Sequence, residues 1–316
     1  MDERTAHVLV KVAELYYLQD RTQAEIAKAL GISRPHVSRL LKRARREGIV
    51  SITVRSPFGG STVLADEIRK LAALRDLVLV PAGPAALARV AAAAGTYLAS
   101  RVQRVSSVGV SWGRTVRMVA DRVPDDSRRG VEVVPLVGGM GLVGDEIHAN
   151  EVARRLASRL GGKYFVLNAP ALAESPSAYA TLSRDGAVRA ILERGRKVDV
   201  AVVGIGGVIP GSTLVQSGYL KPEHLRRLRA TGAVGDICSR FFNLDGSPCR
   251  SPIIERVVGI ELKDLRQLPW VVGVAVGAEK APAILGALRG GYINVLVTDE
   301  ITARAVLRVA RAGPTG

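Results

Sequence analysis

No part of this sequence constrains the fold more tightly than the stretch from Gln23 to Leu41. Two short helices that cross closely need a small residue where they touch, and Ala27 supplies it. Four residues on, Gly31 stands where the chain must turn sharply, a place where positive φ is useful and glycine is the least costly choice. Ser33 is a natural N-cap, and Pro35 sits early enough in the second helix to do little harm. Val37, Leu40 and Leu41 then give the three-and-four spacing that buries one face of that helix against the first. Small residue, glycine and apolar positions are all in register, so the stretch predicts a helix-turn-helix and not merely a helix with a solvated basic face.

The outward positions suit a DNA duplex. Gln23 and Ser33 head the two helices, and Arg34, His36, Ser38, Arg39, Lys42 and Arg43 are left facing out. Side chains at the start of a recognition helix reach base edges in the major groove, while basic residues further along lie near phosphates and add affinity without sequence information. From Arg34 to Arg55 seven basic residues face Glu47 alone, a net of +6. A helix over Ala6–Tyr17, with Val8, Val12, Leu15 and Tyr16 on one side, is expected to pack beneath the pair. Gly48 is placed to end the recognition helix, and Ile49–Val54 alternates like a strand, which suggests a wing. Pro57–Ser61 then reads as a linker, because proline and paired glycines interrupt both helix and sheet. The expected domains are 1–56 for the helix-turn-helix, 57–61 for the linker and 62–316 for a larger α/β domain.

Charge alone does not locate the DNA contact. The chain carries a net +16, yet residues 1–60 hold 11 Lys and Arg against 6 Asp and Glu, a net of +5, so most of the surplus lies elsewhere. An apolar fraction of 47% over 316 residues suits globular folding with a sizeable core. No apolar run approaches the roughly 20 residues that span a bilayer, and the N-terminus has no signal-peptide core, so a cytoplasmic protein without a membrane partner is expected. Two cysteines, Cys238 and Cys249, supply neither a disulfide framework nor a zinc set, and are expected to be buried thiols. No metal or cofactor is expected.

From residue 62 the pattern becomes one of short apolar strands alternating with helices. Strands are expected at Leu77–Val80, Val108–Val110, Val131–Val137, Tyr164–Leu167, Val198–Val203, Val257–Leu262, Val271–Val276 and Ile293–Thr298. Helices are expected at Ala85–Val102, Arg114–Arg122, Asn150–Leu160, Pro222–Ala230, Ala281–Leu288 and Ile301–Arg311. Continuously apolar strands separated by helices imply a largely parallel, Rossmann-like sheet covered on both faces. Ligands of such sheets bind beyond the carboxyl ends of the strands. Four loops there are glycine-bearing: Ser111-Trp112-Gly113-Arg114-Thr115, Gly138-Gly139-Met140-Gly141, Gly204-Ile205-Gly206-Gly207, and Gly277-Ala278-Glu279-Lys280. Amides, a hydroxyl and a guanidinium in the first, with Lys280 in the last, point to a small anionic ligand. Gly204-Ile205-Gly206 lacks the third glycine of a dinucleotide fingerprint, Ile209 standing in its place, so a nicotinamide site is rejected.

The chain resembles the SorC family of bacterial sugar-responsive transcriptional regulators along nearly its full length. The resemblance is carried by Val12–Tyr17, Gln23–Arg43 and Glu47–Val50, then by Gly235–Asn243, Gly277 with Lys280-Ala281, and Asn294–Glu300. It implies an effector domain similar to sugar-phosphate isomerases, reused as a sensor of a sugar or sugar phosphate, and homo-oligomers (dimer or tetramer) on double-stranded operator DNA. It also implies effector contacts at Ser111–Thr115, Asp236 and Lys280, with Asn150 as a looser match; Gly138, Gly139, Gly204 and Gly206 are expected to join them from the glycine-bearing loops at the sheet edge. The phosphate loop of sugar-phosphate-binding relatives is often a run of glycine and threonine. Here Trp112 and Arg114 interrupt it.

Two other functions fit parts of the sequence. A sugar-phosphate isomerase or lyase with a DNA-binding extension would use Asp236 as base or Lys280 as a Schiff-base former, but it lacks a second catalytic partner. His7 and His36 lie in the DNA module, and His148 and His224 have no catalytic context, so no catalytic residue is expected. A sigma-type module that recruits polymerase fits the helix pair but not the sensor-like remainder.

Overall fold

The computed structural model describes residues 3–47, 49–50, 61–124, 130–139, 147–216, 218 and 220–312. The chain divides into two units, Met1–Arg55 and Ser56–Gly316. In the first, α1 (Glu3–Tyr17), α2 (Gln23–Leu30) and α3 (Arg34–Arg46) enclose a small core of Leu9, Val12, Leu15, Ile26, Val37 and Leu41. Local chemistry sets both helix starts. Thr22 and Glu25 form a reciprocal capping box on α2, and the Ser33 hydroxyl accepts the His36 N–H on α3. Gly31, at φ 63°, ends α2 in the left-handed conformation, and the Ile32 N–H returns to the Ala27 carbonyl. Of the expected wing strand only Ile49 and Val50 are described, and they pack beside Leu9, Ala13 and Ala44. Gly48, residues 51–54 and linker residues 57–60 lie outside the described residues.

The second unit is built on seven parallel strands: β1 (Asp76–Val80), β2 (Ser107–Val110), β3 (Glu132–Pro135), β4 (Lys163–Tyr164), β5 (Val200–Gly204), β9 (Trp270–Val274) and β10 (Val295–Asp299). Successive side chains of a strand point to opposite faces. Accordingly Leu77 and Leu79 join one core, while Val78 and Val80 join the other. The second face is covered by α5 (Ala86–Val102), α6 (Arg114–Ala120) and α7 (Ala149–Arg159). The first is covered by α4 (Thr62–Arg69), α11 (Pro222–Ala230), α13 (Ala281–Arg289) and α14 (Glu300–Ala312). Two further helices, α8 (Pro176–Arg184) and α9 (Gly186–Gly195), follow β4 and shelter a satellite core around Leu167, Val188 and Leu192. Among the described residues no helix is long and apolar enough to cross a membrane.

The strand order is β1-β10-β9-β5-β2-β3-β4. From β2 the chain runs outward through β3 and β4, then returns to β5 and runs outward the other way through β9 and β10. The order therefore reverses between β2 and β5, and it is at such a reversal that crossovers leave a crevice open at the carboxyl edge of a sheet.

A second, antiparallel sheet was not foreseen from the pattern: β6 (Gly206–Gly207), β7 (Ala233–Ile237) and β8 (Arg240–Asn243). It follows directly from the end of β5, after which come the short helix α10 (Thr213–Gln216) and α11. The turn from β7 to β8 places Cys238 at φ 53° and Ser239 at φ 61°. Two consecutive positive φ angles match the twist of a hairpin, though this turn is usually made by Asn-Gly. The expected strand Val257–Leu262 is corrected: it forms only isolated bridges at Val257 and Gly259, then enters α12 (Leu262–Leu265). Its carbonyls are engaged otherwise. The buried Arg240 guanidinium donates to Ile254, Val257, Gly259 and Ile260 and pairs with Glu261 at 2.7 Å. The expected strand Tyr164–Leu167 is shorter too, because β4 is an edge strand of two residues.

Candidate functional site

In the N-terminal unit α3 buries Val37, Leu41 and Ala44 and turns its charge outward. Arg34, His36, Arg39, Lys42 and Arg43 are exposed, and Gln23 and Ser38 are half-buried. Ser33 is exposed as well, but its hydroxyl is occupied by the helix cap. Arg43 has Glu47 at 3.7 Å, while Arg45 donates to the Tyr17 hydroxyl at 2.9 Å and stacks on its ring. Arg45 thus fastens α3 to α1, leaving Arg34, Arg39 and Lys42 without an ion-pair partner among the described residues, on a helix that contains no acid. Such a face can enter a major groove with its N-terminal residues foremost.

In the large unit the carboxyl ends of β2 and β5 open on a cavity of about 200 Å³, continuous with solvent. Four stretches line it: 111–116 after β2, Gly204 to Leu214 after β5, Asp236 and Cys238 from β7 and its turn, and Glu279 with Lys280 after β9. Ser111 links the first two, its hydroxyl accepting the Gly204 N–H at 3.1 Å and donating to the Trp112 carbonyl at 3.3 Å. Gly113, at φ 118°, makes the turn into α6. Trp112 is 9% exposed and belongs to the core, so it forms a wall and not a free stacking face. Arg114 is exposed, and its Nη2 donates to Gln216 Oε1 at 3.1 Å.

Asp236 is held by the antiparallel sheet. Opposite it Gly206 has no side chain, and a Cβ there would lie 2.0 Å from Asp236 Oδ1. Its Oδ2 accepts the Ser239 N–H at 3.2 Å. Burial pushes the Asp236 carboxyl up to about 7, against the opposing pulls of that N–H and the Lys280 charge. Lys280 is lowered, first by burial and then by Arg114, while Glu279 and Asp236 act to raise it. Its turn is fixed from behind, where the buried Thr302 hydroxyl accepts the Gly277 N–H at 2.8 Å. Burial also raises the Cys238 thiol, and both cysteines are free and buried. The cavity therefore presents two cations, two carboxylates and several hydroxyls on an apolar floor, a set that can hold a small molecule bearing both an anionic group and hydroxyls.

Of the residues expected to meet a ligand, Ser111, Trp112, Gly113, Arg114, Thr115, Gly204, Gly206, Asp236 and Lys280 come together. Gly138, Gly139 and Asn150 are not among the lining residues. A Cβ on Gly138 would strike the Ala169 and Pro170 backbone, and Gly139 exchanges hydrogen bonds with Ala169 and Ala171. The Asn150 amide is spent on Leu167, donating to its carbonyl at 3.2 Å and accepting its N–H at 2.9 Å. Met140 and Gly141 lie outside the described residues. Sequence reasoning did not select Ser212, Glu279 or Cys238, which also line the cavity. Glu279 was within reach, one residue before Lys280; nothing local marks Ser212.

Comparison with known proteins places both units. The model of a sugar-binding domain family matches residues 56–308, and that of sigma-70 region 4 matches residues 1–47. The sorbitol operon regulator of Klebsiella pneumoniae is 34% identical over 307 residues, covering 95% of this chain and 98% of its own. The deoxyribonucleoside regulator of Bacillus subtilis (strain 168) is 34% identical over 314 residues, covering 97% and 99%. The crystal structure of the full-length sorbitol operon regulator SorC from K. pneumoniae is similar with a TM-score of 0.75 at 33% identity, covering 96% of this chain and 100% of the other.

Proposed function

The chain belongs to the SorC family of sugar-binding bacterial transcriptional regulators, and on that footing we propose that its effector is a small phosphorylated sugar held in the cavity between the ends of β2 and β5. It is a DNA-binding regulator with a helix-turn-helix and an effector-controlled affinity for DNA. The observation that carries the proposal is the opening of Arg114, Lys280 and Asp236 onto one cavity. Two cations suit a phosphate, and the buried Asp236 carboxyl suits hydrogen bonding with sugar hydroxyls. The relatives' names, sorbitol operon and deoxyribonucleoside regulators, support a carbohydrate-like effector.

The protein acts on DNA in the cytoplasm as a homodimer or homotetramer, with Gln23, Ser33, Arg34, His36, Ser38, Arg39, Lys42 and Arg43 as the DNA contact set. An oligomer that holds two recognition helices about 34 Å apart reaches successive major grooves. The effector shifts DNA affinity by binding one quaternary arrangement better than another, since equal binding to both would shift nothing. No catalysis is assigned, in keeping with relatives that are named as regulators.

A thermal-shift screen of the full chain against glucose 6-phosphate, ribose 5-phosphate, sorbitol 6-phosphate and the parent sugars tests this. A ligand at about 100 times its dissociation constant stabilises by about 2.7 kcal/mol. Phosphorylated compounds alone should respond, and Lys280→Ala should abolish the response. Equal responses from the parent sugars would remove the phosphate from the proposal.

A further inference from the structure

Buried polar groups almost always have a hydrogen-bond partner, and one without calls for a ligand or another explanation. Ser212 is 9% exposed, and its Oγ is buried with no partner among the described residues. It is also one of the residues lining the cavity. Its carbonyl accepts the N–H groups of Val215 and Gln216, so it immediately precedes α10 and stands one turn ahead of Gln216. Gln216 in turn accepts from Arg114 at 3.1 Å. Ser212 therefore stands one turn along the chain from the partner of Arg114, on the lining of the same cavity.

We infer that Ser212 is a further effector-binding residue, its hydroxyl donating to the same anionic group of the ligand that Arg114 meets. The inference rests on reading the cavity as a sugar-phosphate site. A serine oxygen can be re-aimed among three staggered χ1 wells without moving the backbone. It supplies a neutral donor to one of the three acceptor oxygens of a phosphate monoester, leaving charge balance to Arg114 and Lys280. A neutral sugar has no such group to offer, so Ser212 adds to the preference for the phosphorylated form.

Titration calorimetry on the full chain tests it, with glucose 6-phosphate, ribose 5-phosphate, sorbitol 6-phosphate and inorganic phosphate as probes. Ser212→Ala should weaken the probe that binds by about ten-fold, the value of a hydrogen bond to a charged group. Ser212→Thr should retain binding. Ser100→Ala is the control, since that serine lies on α5 and outside the cavity lining; it should leave affinity unchanged. Wild-type affinity in Ser212→Ala, with Lys280→Ala weakened, overturns the role of Ser212 and leaves the cavity assignment standing. Failure of every probe on the unaltered protein overturns both.

Discussion

Replacing Asp236 by asparagine should uncouple the stability of the large unit from pH across the weakly acidic range. Burial holds the Asp236 carboxyl near 7 in place of its ordinary 3.8. A folded state that keeps this proton more tightly than the unfolded chain is favoured at low pH. The contribution is whole below about 3.8 and is lost as pH rises through about 7. A displacement of that size amounts to about 4 kcal/mol, at about 1.4 kcal/mol for each tenfold change in proton affinity. Asparagine keeps the shape and an acceptor for the Ser239 N–H, yet has no proton to lose. Both tryptophans, Trp112 and Trp270, lie in the large unit, so their fluorescence follows its unfolding alone. Urea unfolding of both proteins should show the variant gaining on its parent by about 1 kcal/mol per pH unit from roughly pH 4 to pH 7. Groups elsewhere cancel in the difference. Parallel stability curves would refute the account of Asp236 as a carboxyl kept protonated by its surroundings.

Two other substitutions probe the remaining assignments. Arg39→Ala should weaken specific operator binding by about 1–3 kcal/mol while leaving the effector-induced thermal shift intact; an unchanged gel-shift midpoint would count against α3 as the recognition helix. Arg240→Leu takes the donor away from four carbonyls and leaves Glu261 without its partner, and should destabilise the large unit by about 3–5 kcal/mol in the same fluorescence assay; a loss below about 0.5 kcal/mol would mean that the 254–261 segment holds its shape unaided.

What was legible in the sequence was local. The helix-turn-helix announced itself because capping, turn and burial signals fall within one short stretch, and Gly31 takes the left-handed conformation its position requires. The parallel strands were legible as apolar runs, though not at their ends. Strand order was not, and strand order decides which loops meet. The Gly138-Gly139 loop follows β3, one strand away from the reversal, and packs on Ala169 and Pro170 instead of facing the cavity. The β7–β8 hairpin escaped because Cys238-Ser239 carries none of the usual turn chemistry. Arg240 reads from sequence as a surface charge, because its burial depends on carbonyls 14–20 residues downstream.

The walls of the cavity belong to segments that become neighbours only after β2 and β5 lie side by side. On the proposed assignment a half-assembled large unit offers the effector no seat, and an effector once seated there would act as a fastener across the middle of the sheet. Genetic screens for variants deaf to the effector should therefore return folding lesions scattered throughout Ser56–Gly316 alongside changes in the cavity itself. Mutants that hear the effector but ignore DNA should cluster in the short span from Gln23 to Arg46.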